Sequence, residues 1–116
     1  MRVKIYCDLY ISGHWMNKKD KLVEKLHKNR LQPMVYVITL SQGEQNHLEF
    51  FPSILLKQHV FDHAELFVTG IADGYDGALD LVEQIAEDVY TRTGQTDIRS
   101  FILERQKEFE MTGRTG

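Results

Sequence analysis

Hydrophobic and polar positions alternate with period two along the ten residues that follow Met1. Val3, Ile5, Cys7, Leu9 and Ile11 fall on one face, and Arg2, Lys4, Tyr6, Asp8 and Tyr10 on the other. Alternation in β-branched and aromatic residue types predicts a strand over 2–10, and the polar second face predicts an edge position. Ser12, Gly13 and His14 end the pattern. Leu22, Val23 and Leu26 then stand one helical turn apart among Lys18, Lys19, Lys21, Lys25 and Lys28. This predicts an amphipathic helix over 17–30, capped by Asn17 with Asp20 three residues on. Pro33 cannot continue it.

Two later runs have no polar face. MVYVITL over 34–40 and ELFVTGIA over 65–72 are short and rich in β-branched residues, as strands buried on both sides are. Between them, Ser41 with Glu44 and Asn46 with Glu49 have capping-box spacing, which predicts a helix over 44–58 kinked at Pro52. Ala78, Leu79, Val82, Ile85, Ala86, Val89 and Tyr90 recur at helical spacing, predicting a helix over 76–93 that Gly94 terminates. Asp97 opens a further helix over 97–110, and 111–116 reads as a frayed tail outside a single domain, 1–110. Strands alternating with helices predict an α/β fold: a small three-layer sandwich with a three-stranded parallel sheet, Rossmann-like topology and about four helices.

Composition narrows the class further. The chain has 116 residues, 42% hydrophobic and 27% charged, with one cysteine. That excludes a disordered tail, a disulfide scaffold and a zinc site built on thiolates. No run reaches the length of a membrane span, and the start lacks the apolar core of a signal peptide, so a cytoplasmic protein is the expectation. Charge is divided: residues 1–33 carry a net +5 and residues 34–116 a net −8, within a total of −3. The basic part lacks interleaved aromatics, so oppositely charged helices lying near each other explain the split better than nucleic-acid binding through the lysines.

Ligands of open parallel sheets bind beyond the carboxyl ends of the strands. Three parallel strands would bring together Ser12, Gly13 and His14 from the first loop, Ser41, Gln42 and Glu44 from the second, and Asp73, Gly74, Tyr75, Asp76 and Gly77 from the third. The glycines at 70, 74 and 77 match neither the dinucleotide fingerprint nor the phosphate loop. Asp73 and Asp76 favour a cation, or a ligand with hydroxyl and amine donors, over a bare phosphate. Equally, the glycines can serve a tight strand-to-helix turn with one aspartate as its cap. A carboxylate cluster of Asp8, Glu44, Asp73 and Asp76 around Mg²⁺ is a further expectation. His14, beside Trp15, suits proton transfer near neutral pH. Tyr75 and Trp15 suit stacking on a flat ligand or ordinary packing.

Other residues carry less. His59 and His63 have helical metal-ligand spacing but read as an ordinary exposed pair. Cys7 reads as a small core residue. Leu48, Phe50, Phe51, Ile54, Leu55, Leu56, Val60 and Phe61 exceed what one helix on a three-stranded sheet can bury, which predicts a homodimer. The function expected is a small soluble binding domain that self-associates, with a small-molecule site at the strand ends. The alternative is a small enzyme with an acidic, metal-assisted site there. No cofactor is indicated.

Overall fold

The computed structural model describes residues 2–40 and 48–113. Strand β1 (Arg2–Ile11) leads through a 3-10 helix (Gly13–Lys18) into α1 (Lys19–His27). Strands β2 (Val35–Leu40) and β3 (Leu48–Pro52) follow, then two 3-10 helices (Ser53–Lys57 and His59–Phe61). Strand β4 (Glu65–Asp73) passes directly into α2 (Gly74–Thr93), and α3 (Ile98–Thr112) completes the chain. The class is α/β, but the sheet is four-stranded and mixed, in the order β1-β4-β2-β3. β1 runs parallel to β4, while β2 is antiparallel to both β4 and β3. This overturns the three-stranded parallel, Rossmann-like expectation, and among the described residues three α-helices stand in place of the expected four or so.

The difference arises at residues 48–61. Leu48, Phe50 and Phe51 pair with Leu40, Ile38 and Val37 of β2, and Pro52 closes the pairing opposite Tyr36. A strand as apolar as β2 needs a neighbour on each side. That tertiary demand outweighs the local capping-box signal. Pro52 is tolerated because β3 is an edge strand. Phe51 packs with the core on the α1 side, and Phe50 and Leu48 with the core on the α2 side. A strand partly buried on both faces therefore takes up part of the apolar excess of residues 48–61.

Helices cover both faces of the sheet. On one, Leu22 and Leu26 of α1 meet Leu9, Ile11, Val37 and Val68. On the other, Leu81, Ile85 and Val89 of α2 and Ile102 of α3 meet Tyr6, Ile38 and Ala72. Gly70 makes the close approach of α2 possible, since a Cβ there would stand 3.1 Å from the Leu81 side chain. Asn17 does not cap a helix, because the chain enters α1 through the 3-10 segment, with Lys18 at the cap position. α3 extends through Thr112, so Met111 and Thr112 are helical.

β1 carries the main irregularity. Residues 6–9 stand between Ile5, opposite Val68, and Tyr10, opposite Gly70, so four residues of β1 face one of β4. This wide bulge moves Cys7 off the face of Val3 and Ile5 and into the core beneath α2 and α3. There its N–H donates to Gln106 Oε1 at 2.8 Å, and Arg105 donates to Asp8 Oδ2 from Nε at 3.2 Å and from Nη2 at 2.8 Å.

Candidate functional site

Because β1 and β4 are parallel, their carboxyl ends lie side by side: Ile11 pairs with Ile71, and Ser12 follows at once. β2 runs the other way, so its first residue, Val35, pairs with Asp73 at this end, whereas Leu40 lies at the opposite end of the sheet. The expected meeting of three loops is therefore a meeting of two. Ser41, Gln42 and Glu44 fall outside the described residues.

The two remaining loops do meet. Ser12 Oγ accepts a hydrogen bond from the Asp73 N–H at 3.0 Å, and the Ser12 N–H donates to the Ile71 carbonyl at 3.2 Å. His14 Nε2 lies 2.7 Å from Asp73 Oδ2. These groups border a cleft of about 320 Å³ that continues along α2 past Gly77, Asp80 and Gln84. Gly74 adopts φ +75° and donates its N–H to the Met34 carbonyl at 3.1 Å, which fastens the start of α2 to the approach to β2. An L side chain would strain that backbone, so Gly74 makes the abrupt strand-to-helix step.

Asp73 occupies the position that precedes α2, yet its side chain makes no hydrogen bond to the helix. The carboxylate is given to His14 instead. A carboxylate only accepts, so the imidazole presents Nε2–H to it, and the neutral ring then keeps its acceptor lone pair at Nδ1. The pair is largely in water, with side-chain exposures of 62% for His14 and 48% for Asp73. It contributes little to folding and is accessible to a ligand. The Trp15 ring, 5.3 Å from the imidazole and tilted by 50°, supports His14 from the side.

The other expected site residues are placed elsewhere. The Tyr75 ring lies 6.1 Å from that of Tyr36 and 5.8 Å from that of Phe50, toward the β2 and β3 side of the sheet. Asp76 lies in the first turn of α2, where a negative charge suits the helix dipole. Asp8 is held by Arg105, and no group of three or more metal-ligating side chains occurs among the described residues, so Asp8, Asp73 and Asp76 do not form the expected carboxylate cluster. His59 and His63 do not share a helix: His59 belongs to a three-residue 3-10 helix and pairs with Asp62 at 3.1 Å. Burial, followed by the nearby Asp8 charge, pushes the Cys7 thiol above its ordinary pKa, which suits a packing residue and not a nucleophile.

Sequence reasoning passed over a second polar region farther along α2. Tyr10 Oη donates to Asp88 Oδ2 at 2.6 Å, and Arg92 Nε donates to Asp88 Oδ1 at 3.0 Å. Burial, then the hydrogen bond to Asp88, raises the Tyr10 phenol well above its ordinary pKa. The signal available in advance was helical spacing: Gly77, Asp80, Gln84, Asp88 and Arg92 share one side of α2. Among the described residues, no helix is long and apolar enough to cross a membrane. No family model, curated protein or solved structure matches this chain.

Proposed function

We propose that this protein is a small binding domain whose ligand sits at the joined carboxyl ends of β1 and β4 and is recognised by His14 and Asp73. The observation that carries this reading is the 2.7 Å contact between them, made by a carboxylate that stands where a helix cap would be and caps nothing. With Nε2 committed to Asp73, the free Nδ1 accepts a hydrogen bond, and Asp80 adds acceptor oxygens to the same cleft. Acceptors of this kind fit a small molecule with hydroxyl or amine donors and disfavour a bare phosphate. The lone thiol suits a reducing compartment, and the reading places the protein in the cytoplasm.

Self-association belongs to the proposal on different ground from the sequence expectation. β3 is an edge strand, and Tyr75, Leu79 and Tyr90 stand exposed along α2. A symmetric dimer would cover them, and light scattering at micromolar concentration distinguishes it from a 13.5 kDa monomer. A second reading, acid–base catalysis, is favoured by the same contact. An imidazole oriented by a carboxylate is the arrangement of a general base. A thermal-shift screen of polyols, sugars, amines, nucleotides and metals on the native protein and on Asp73→Ala tests the binding site. A polyol or amine that stabilises the native protein alone supports it. A ligand that stabilises both equally contradicts it.

A further inference from the structure

The basic and acidic helices of this chain do not meet. Between His14 and Pro33, Lys18, Lys19, Lys21, Lys25, Lys28 and Arg30 stand against Asp20 and Glu24 alone, a net of +4. α2 carries five acids against Arg92, a net of −4. α1 packs on one face of the sheet and α2 on the other, so they lie about 20 Å apart with the sheet between them. That is more than twice the Debye length of about 8 Å at physiological salt, so neither helix neutralises the other. The expectation that nearness of opposite helices explains the charge split is not met.

The end of α1 gathers four of these cations. Asn29 takes a left-handed φ of +52° and closes a Schellman turn. In it the Arg30 N–H donates to the Lys25 carbonyl at 2.8 Å, and the Asn29 N–H to the Leu26 carbonyl at 3.0 Å. Asn29 Nδ2 donates to the Leu56 carbonyl at 3.2 Å, which fastens the turn. The chain thereby returns beside α1. Arg30 and Gln32 border a groove of about 410 Å³ whose other wall is Lys21, Glu24, Lys25 and Lys28. All six residues are exposed. Of the four cations, Lys28 alone is ion-paired among the described residues, to Glu24 at 2.7 Å. The helix dipole favours cations in the last turn, which accounts for Lys25 and Lys28 but not for Lys21 or Arg30.

We propose that this groove binds the phosphodiester backbone of a nucleic-acid strand. Lys21 to Lys28 rise by about 10 Å along the helix, over which one strand presents about three phosphates. Counterion release from a polyanion drives binding by exposed lysines, and a single small anion offers no such gain. No aromatic side chain lines the groove, so the contact stays with the backbone and carries no base preference. A membrane surface would need apolar side chains beside the lysines, and the lining has none. The acidic α2 of a second copy would make a head-to-tail contact that does not close, unlike the symmetric dimer proposed above. This site is separate from the one at His14 and stands without it.

The test is fluorescence anisotropy on the full chain with labelled oligouridylate and oligothymidylate of about 12 nucleotides. Both bind at about 50 mM salt, and log affinity falls against log salt with a slope of about −2, a weakening of about fifteenfold by about 200 mM. Lys21→Gln combined with Lys25→Gln reduces the slope to about −0.7 and weakens binding about tenfold at the lower salt. Lys107→Glu, an exposed site on α3, changes the net charge by the same two units and leaves affinity and slope as they are. Glu24→Gln frees Lys28 and steepens the slope by about 0.7. Absence of binding at low salt, native affinity in the double variant, or an equal loss in Lys107→Glu overturns the inference. Where the oligonucleotides do not bind, sedimentation with phosphatidylserine vesicles would assign the groove to a membrane. Growth of light scattering at low salt would assign it to a second copy. Either result overturns the inference.

Discussion

The two polar regions beside α2, His14 with Asp73 at its start and Tyr10 with Asp88 and Arg92 farther along, are held in opposite ways. At the N-terminal end, His14 and Asp73 pair largely in water, with side-chain exposures of 62% and 48%. At the C-terminal end, Arg105 and Asp8 are only 21% and 29% exposed, Tyr10 is tied to Asp88, and Tyr6 is buried. Those side chains fasten the bulged edge strand to α2 and α3. The difference separates what a substitution reports: at the first region it reports on the ligand, and at the second it reports on the fold.

Substitutions can break this contrast, and the largest effect is expected at Arg105. Arg105→Ala leaves the Asp8 carboxylate half-buried without its donor and leaves the Cys7 N–H to Gln106 bond to hold α3 to the bulge, at a cost of about 2 kcal/mol in chemical denaturation. Tyr10→Phe removes one hydrogen bond to a charged group and costs about 1.5 kcal/mol by the same measurement. If either variant is as stable as the native protein, the C-terminal region is not part of the scaffold.

Alkaline titration sharpens the contrast without mutation. Burial raises the Tyr6 and Tyr10 phenols well above the ordinary tyrosine value, with Asp8 adding to the effect at Tyr6 and the Asp88 hydrogen bond at Tyr10. Their contribution to stability is therefore complete below the unfolded pKa of about 10 and declines as pH rises beyond it. Absorbance at alkaline pH should show these two of the five tyrosines ionising last, as the fold opens. Early ionisation of all five would contradict their burial.

Smaller effects are expected where the groups are exposed. Asp73→Asn should change stability by no more than about 0.5 kcal/mol. Asp97 caps α3 by accepting the Ser100 N–H at 3.1 Å, and the backbone and side-chain bonds from Ser100 hold its carboxyl below the ordinary value. Its contribution is present above the ordinary carboxylate range and is lost as pH falls through the lowered folded value. Asp97→Asn should flatten the acid limb of a stability-against-pH curve, and an unchanged limb would remove the cap from the account.

Much of this architecture is legible from periodicity alone. The alternation of β1, the unbroken apolar runs of β2 and β4, and the helical stripe of α2 each depend on near neighbours in sequence. Residues 48–52 do not, because a five-residue apolar strand has no distinguishing period and only its pairing with β2 decides its state. The direction of β2 is equally hidden, since a strand buried on both faces reads the same in either orientation. That is why Ser12, His14 and Asp73 stand side by side, while β2 ends with Leu40 at the opposite end of the sheet. The bulge in β1 was masked by its own alternation, and with it the partnership of Asp8 with Arg105.

The claim on which the functional reading rests is that Asp73 fixes the tautomer of His14 and leaves Nδ1 free for a donor. A long-range ¹H–¹⁵N correlation spectrum of the imidazole in mildly alkaline buffer measures this directly. The account predicts the Nε2–H form in the native protein, a mixed or reversed form in Asp73→Asn, and a shift confined to Nδ1 when a polyol or amine that passes the thermal screen is added. An Nδ1–H form in the native protein, or a His14 signal that ignores such a ligand, would contradict it.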